Sequence, residues 1–238
     1  MGVLPGVDAV LFDYGGTLVT FKYPGAELGS VVERFRPAIE TAIGRPAPAA
    51  KQITDRILLP LESLVENPGE DEVPYFVTFA AAWRNAGLDL SDELLYEILD
   101  AEQMVWDGAA RVDSAVPQVL SWIAAHGCKQ AVCSNAPFPS EMMLRQVSAN
   151  GVGGLVDAVV FSSQVGRRKP APEMYHAALQ AIGVEAGRAL FVGDRVREDY
   201  EGPRAVGMRA VICTAHATTK PGDGIPTIPS LSSLPEML

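Results

Sequence analysis

The sequence predicts an α/β fold, a doubly wound parallel sheet with an inserted all-helical segment, and three observations carry that prediction. Short apolar runs rich in β-branched residues recur at 8–12, 129–133, 158–161, 189–192 and 210–213, each reading as a strand buried on both faces. Helical patterns separate these runs, and such alternation implies right-handed crossovers in one sheet. The stretch 21–106 breaks the rhythm, because it holds helical periodicity and hardly any strand signal. Residues 1–20 and 107–238 are therefore assigned to the α/β core, and 21–106 to a separate helical domain.

The first strand ends at Asp13 and gives way to Gly15 and Gly16. Leu28, Val31, Val32, Phe35 and Ile39 then mark one helix, and Ile53, Ile57, Leu58, Leu61, Leu64 and Val65 another. Pro37 and Pro60 are expected to kink or shorten both, since proline lacks the amide donor and its ring meets the preceding turn. Pro74 opens a third helix, whose aromatic stripe Phe76, Phe79 and Trp83 reads as core. Ser91 is placed to cap a fourth, with Asp92 and Glu93 in its first turn and Leu94, Leu95, Ile98, Leu99 and Val105 along its length. Beyond it come a helix over Val116, Val119, Leu120 and Ile123, and others near 142–147, 174–182 and 200–206, the last two stopped by Gly183 and Gly207. The tail 225–238 is expected to add an edge strand and a short helix.

Composition narrows the function. With 19 basic against 29 acidic side chains the net charge is −10, which disfavours nucleic acid and anionic membrane as partners. No charge-free apolar run reaches the ~18 residues of a membrane span, and the start has no basic or cleavage pattern, so a cytoplasmic location is expected. Cys128, Cys133 and Cys213 are odd in number and form no CxxC pair, as expected of reduced thiols. His126, His176 and His216 show no ligand spacing.

Four segments carry chemistry. Asp13 stands at the carboxyl end of a buried strand, where open α/β sheets bind ligands, and the position suits a covalent nucleophile. Gly15 and Gly16 let the backbone turn tightly and aim amides at an anion, while Thr17 can bond a transferring group or hold the turn. Ser134 and Asn135 follow the second core strand, where a hydroxyl can donate to an oxygen gaining charge. Lys169 precedes Pro170 and Pro172, which stiffen its approach to a helix. Asp194 and Asp199 lie on the turn after a later strand and can hold a hard cation. Arg195 and Arg197 beside them can draw in an anionic substrate.

Together these segments resemble the haloacid dehalogenase superfamily, whose members mostly transfer phosphoryl groups through a phosphorylated aspartate. The resemblance implies a Rossmann-like core with a helical cap between the first and second motifs. It implies Asp13 as nucleophile, assisted by Thr17, Ser134 and Lys169, with Gly16, Asn135 and Arg195 contacting substrate. Mg2+ would be held by Asp13, the carbonyl of Gly15, Asp194 and Asp199. The implied substrate is a small phosphorylated metabolite, and the implied assembly a monomer or homodimer. One position departs from the pattern: the phosphatases carry a second Asp two residues after the nucleophile, and this chain has Gly15. Glu198, Tyr14, Glu27 or a water are the candidates to replace it. The departure keeps other readings open, namely a phosphonate-cleaving enzyme using Lys22 or Lys51, a dehalogenase, or a catalytically weak metal- and anion-binding module.

Overall fold

A computed structural model of the protein describes residues 6–65 and 69–238. Residues 1–5, assigned above to the core, and 66–68, assigned to the inserted helices, lie outside the described residues, as does the Val65 side chain. The chain runs through β1 (Ala9–Phe12) and β2 (Val19–Phe21) into the helices α1 (Gly25–Ile43), α2 (Ala50–Ile53), α3 (Leu59–Val65), α4 (Tyr75–Asn85) and α5 (Asp92–Ala109). It returns by β3 (Ala110–Val112) and continues through α6 (Val116–Ala125), β4 (Lys129–Ser134), α7 (Ser140–Ala149), β5 (Ala158–Phe161), α8 (Ser162–Val165) and α9 (Pro172–Ile182). The last elements are β6 (Ala189–Gly193), α10 (Gly202–Ala205), β7 (Arg209–Cys213), β8 (Thr227–Ile228) and a 3-10 helix at Leu231–Glu236.

Six of these strands form one parallel sheet in the order β5-β4-β1-β6-β7-β8. From β1 the chain builds outward on one side to β4 and β5, then crosses back to build β6, β7 and β8 on the other. This reversal beside β1 marks where an open α/β sheet leaves a crevice at its carboxyl edge. All four β1 side chains are fully buried, with Val10 and Phe12 facing α6, α7 and the 3-10 helix, and Ala9 and Leu11 facing α9. That double burial is why the strand reads as an unbroken apolar run. Phe12 pairs with Val132 on β4 and Val192 on β6. The register therefore brings the residues just past these three, Asp13, Ser134 and Asp194, to the same edge.

Helices α1 to α5 pack around their own core, centred on Ile39, Ile53, Phe79, Trp83, Leu95 and Ile98. Phe79 and Trp83 are fully buried there, so two members of the aromatic stripe are core residues. The two ends of this helical insert are tied by β2 and β3, an antiparallel ribbon pairing Val19 with Val112 and Phe21 with Ala110. Strand signal is faint in this region because three-residue strands are too short for a period to emerge.

Both prolines are accommodated inside their helices. Helix α1 runs unbroken through Pro37, held by its buried stripe Leu28, Val31, Val32 and Ile39. Pro60 is accommodated by a π-helical turn at Thr54–Leu58, after which the Leu59 amide bonds back to the Thr54 carbonyl. The wider turn relieves the carbonyl at Arg56, which a proline four residues later cannot meet. A second π-helical turn, at Val196–Glu201, begins the helix before β7 earlier than the sequence pattern indicated.

Candidate active site

The carboxyl edge of the sheet gathers an interlocked set of buried polar groups. Asp13 leaves β1 and its Oδ1 accepts hydrogen bonds from Ser134 Oγ at 2.9 Å and Lys169 Nζ at 2.7 Å. The same ammonium donates to Asp199 Oδ1 at 2.7 Å. Asp199 Oδ2 in turn accepts from the amides of Asp194 at 3.1 Å and Arg195 at 2.9 Å, closing the turn after β6. A Cβ at Gly193 would fall 2.3 Å from Asp199 Cγ, so only glycine lets that carboxylate tuck under the strand end. Gly16 has φ +85° and faces Asp194, whose Oδ2 a Cβ would meet at 2.7 Å. Here both the left-handed backbone and the close approach demand glycine.

One ammonium thus serves several carboxylates. Burial pushes the Asp194 carboxyl up to about 7, with Asp13 and Asp199 adding to the shift. Burial likewise pushes Asp199 up to about 6, against the pull of Lys169. Burial alone would discharge Lys169, but Asp13 and Asp199 outweigh it and hold the ammonium well above the ordinary lysine value. The excess negative charge is the signature of a cation site. Asp13, Asp194 and Asp199 each offer an oxygen, and these lie within 4.8 Å of one another. Three hard oxygen donors so close together suit a magnesium ion, which takes few carboxylates and retains water.

These groups open into a cavity of about 510 Å³ that extends from the sheet edge to the helical insert. Asp13, Gly15, Gly16, Ser134, Asn135, Lys169, Asp194, Arg195 and Asp199 all line it. Thr17 does not: its hydroxyl is buried behind the edge and bonds Asp194 Oδ1 at 3.4 Å, so it orients a carboxylate. The Asn135 side chain is likewise committed to backbone, donating to the Lys169 carbonyl at 3.1 Å and accepting from the Lys169 amide at 2.7 Å. It is a clamp that fixes where the lysine emerges. Arg195 is exposed at the rim. Of the groups proposed to stand in for the absent Asp at position 15, Tyr14 and Glu198 line the cavity and the exposed Glu27 does not. Lys22 and Lys51 are both exposed, neither lines the cavity, and Lys51 pairs with Asp55 at 2.5 Å.

A family model described as haloacid dehalogenase-like hydrolase matches residues 7–207. The chain belongs to that family. It is 35% identical over 113 residues to haloacid dehalogenase-like hydrolase domain-containing protein 3 of Bos taurus, covering 45% of this chain and 44% of the relative. It is 37% identical over 105 residues to phosphatase MT3486 of Mycobacterium tuberculosis, covering 44% and 45%. The chain thus spans less than half the length of these curated relatives. Among solved structures, a 2-haloacid dehalogenase from Pseudomonas syringae pv. Tomato superposes with a TM-score of 0.66 over 97% of both chains at 21% identity, a likeness of fold.

Sequence reasoning missed Glu102. It lies on α5, nine-tenths buried, and lines the cavity from the side opposite the sheet edge's own residues, within the insert. Its signal was present: positions 95, 98, 99 and 102 share one helical face, and the first three are Leu95, Ile98 and Leu99. A carboxylate on an apolar stripe is the kind of exception that asks for a reason.

Proposed function

We propose that the protein is a magnesium-dependent phosphatase that hydrolyses a small phosphorylated metabolite through a phosphorylated Asp13. The observation that carries this reading is the convergence of the Asp13, Asp194 and Asp199 oxygens within 4.8 Å, with Lys169 bridging two of them. Asp13 Oδ1 is held by Ser134 and Lys169, which leaves Oδ2 to attack phosphorus in line with the departing oxygen. Lys169 and Ser134 donate to the phosphoryl oxygens as charge shifts onto them. Asp194 and Asp199, with Asp13 and the Gly15 carbonyl, hold Mg2+, which neutralises charge on the transferring group. Water then attacks the aspartyl phosphate and restores the carboxylate.

Gly15 gives this chain no carboxylate where its phosphatase relatives protonate the leaving oxygen, and such a group is worth about 10²- to 10⁴-fold. Leaving groups that depart as stable anions, phenols and carboxylic acids among them, need that proton least. The test is hydrolysis of aryl, acyl and alkyl phosphates with and without Mg2+. Turnover of aryl or acyl phosphates that vanishes on chelation and in Asp13→Asn supports the reading. Turnover of a haloacid with chelator present would overturn it.

A further inference from the structure

Resting on the phosphatase reading, we infer that the insert side of the cavity selects leaving groups with a flat apolar body ending in a hydrogen-bond donor, and that Glu102 receives that donor. The body is argued from the lining: Leu58, Leu61, Tyr75, Leu99, Trp106 and Phe138 face the cavity. Tyr75 and Phe138 pack with ring centroids 4.7 Å apart, so that wall is already ordered. The volume of about 510 Å³ exceeds what inorganic phosphate requires and accommodates an aromatic ring.

The donor is argued from oxygens left without partners. Among the described residues, Glu102 Oε1 is buried and accepts no hydrogen bond, and the same holds for Gln103 Oε1 and Gln146 Oε1. The two glutamines are fixed in that orientation because both of their amide nitrogens donate to Asp107 Oδ1, at 3.1 and 2.9 Å. All three residues line the cavity. Buried acceptors without donors cost free energy, and a ligand that supplies the donor recovers it. The titratable groups that the insert contributes to the cavity are Glu62, Tyr75 and Glu102, none of them cationic. No cation of the insert answers a second anion on the leaving group, whereas a hydroxyl or ammonium meets unpartnered oxygens. This also fits Gly15, since a phenolic leaving group departs without an acid.

The experiment compares aryl phosphates with 4-methyl, 4-hydroxymethyl, 4-aminomethyl and 4-carboxy substituents. Their kcat/KM is measured in wild type, Glu102→Leu and Glu102→Gln, and their dissociation constants are measured calorimetrically on Asp13→Asn with Mg2+. The expected result is at least a ten-fold preference for the better donor-bearing compound over the methyl compound in both rate and affinity, with the carboxy compound poorest. Glu102→Leu brings that ratio close to one, and Glu102→Gln, which still accepts, retains part of it. If the leucine variant melts early, the glutamine variant and the wild-type ratios decide. Equal or better binding of the methyl compound, or a ratio that Glu102→Leu leaves unchanged, overturns the inference. A preserved affinity ratio without any turnover would sink only the phosphatase reading, and turnover without discrimination would sink only this one.

Discussion

The sheet edge and the helical insert face each other across one cavity but handle their polar groups in opposite ways. On the sheet edge, Asp13, Ser134, Lys169 and Asp199 are tied to one another by hydrogen bonds whose geometry follows from strand register, and the surplus carboxylate charge, Asp194 included, is arranged for a cation. On the insert, Glu102 and Gln103 present acceptors that no described residue meets. A network bonded in this way holds reacting groups in place before substrate arrives. An unsatisfied one is completed by ligand. The contrast teaches where chemistry and recognition reside: the parallel sheet fixes the reaction, and a helix face, free to vary without disturbing register, chooses the molecule.

The strongest attack on this division is at Asp13. Asp13→Asn removes the nucleophile while keeping the side-chain shape, and kcat for an aryl phosphate should fall by about 10⁴-fold or more. Affinity for the leaving-group portion should change little, because that portion rests on the insert. If affinity collapses together with rate, the two sides are not separable.

Gly15→Asp probes what the sheet edge lacks. Gly15 has no left-handed backbone, and a Cβ there would lie 3.6 Å from Phe21 Cε2, an ordinary contact, so the backbone accepts a β-carbon at this position. Hydrolysis of alkyl phosphates should rise by about 10²- to 10⁴-fold, with a smaller gain for aryl phosphates. An unchanged alkyl rate would mean that Glu198 or Tyr14, both on the cavity wall, already supplies the proton.

The two regions are also latched, and the latch is testable. Glu72, in the connection between α3 and α4, forms a buried ion pair with Arg168 at 2.9 Å, one residue before Lys169. Backbone bonds from Arg168 to Glu70 at 2.8 Å and from Glu72 to Gly166 at 3.1 Å zip the same two segments together. Breaking one partner of a buried pair costs about 3–5 kcal/mol, so Glu72→Ala should lower the urea midpoint markedly. Lys51→Ala, which removes an exposed pair within the insert, is the control and should leave the midpoint unchanged.

Much of the sheet edge was legible because buried parallel strands announce themselves, and Asp13, Ser134 and Asp194 stand where an apolar run meets glycine or a turn. Asp13 and Asp194 follow β1 and β6 directly, and no tertiary information was needed to align them. Thr17 and Asn135 show what a strand end leaves open, because a hydroxyl or amide there has the same sequence appearance whether it faces ligand or protein, and in the structure Thr17 bonds Asp194 and the Asn135 amide bonds the Lys169 backbone. The ribbon of β2 and β3 and the π-helical turn ahead of Pro60 left no pattern, since a three-residue strand and a single widened turn are shorter than any period. Glu102 was legible only as an anomaly on an apolar stripe. Its meaning depends on what packs around the other side of the cavity, which a helix wheel does not contain.

The smallest expected effect separates the regions by pH. Burial pushes the Glu102 carboxyl up to about 8, and Glu62 adds to the shift; Glu62 and Tyr75 are the ionisable groups that bear on it. Asp194 and Asp199 are raised to about 7 and about 6 by burial and their neighbours. In the unfolded chain such carboxyls titrate near 4, at about 3.9 for Asp and 4.3 for Glu. Between these limits the native state holds protons that the unfolded state releases, so stability falls as pH rises. Metal-free protein should therefore melt several degrees lower at pH 8.5 than at pH 5, at roughly 2–4 °C per kcal/mol for a chain of this size. Saturating Mg2+ removes the contribution of Asp194 and Asp199 by pairing with their charged forms. The slope that survives belongs to the insert, and Glu102→Leu should flatten it. A slope that neither magnesium nor the leucine variant reduces would place the titrating groups elsewhere and remove the electrostatic half of the contrast between the two regions.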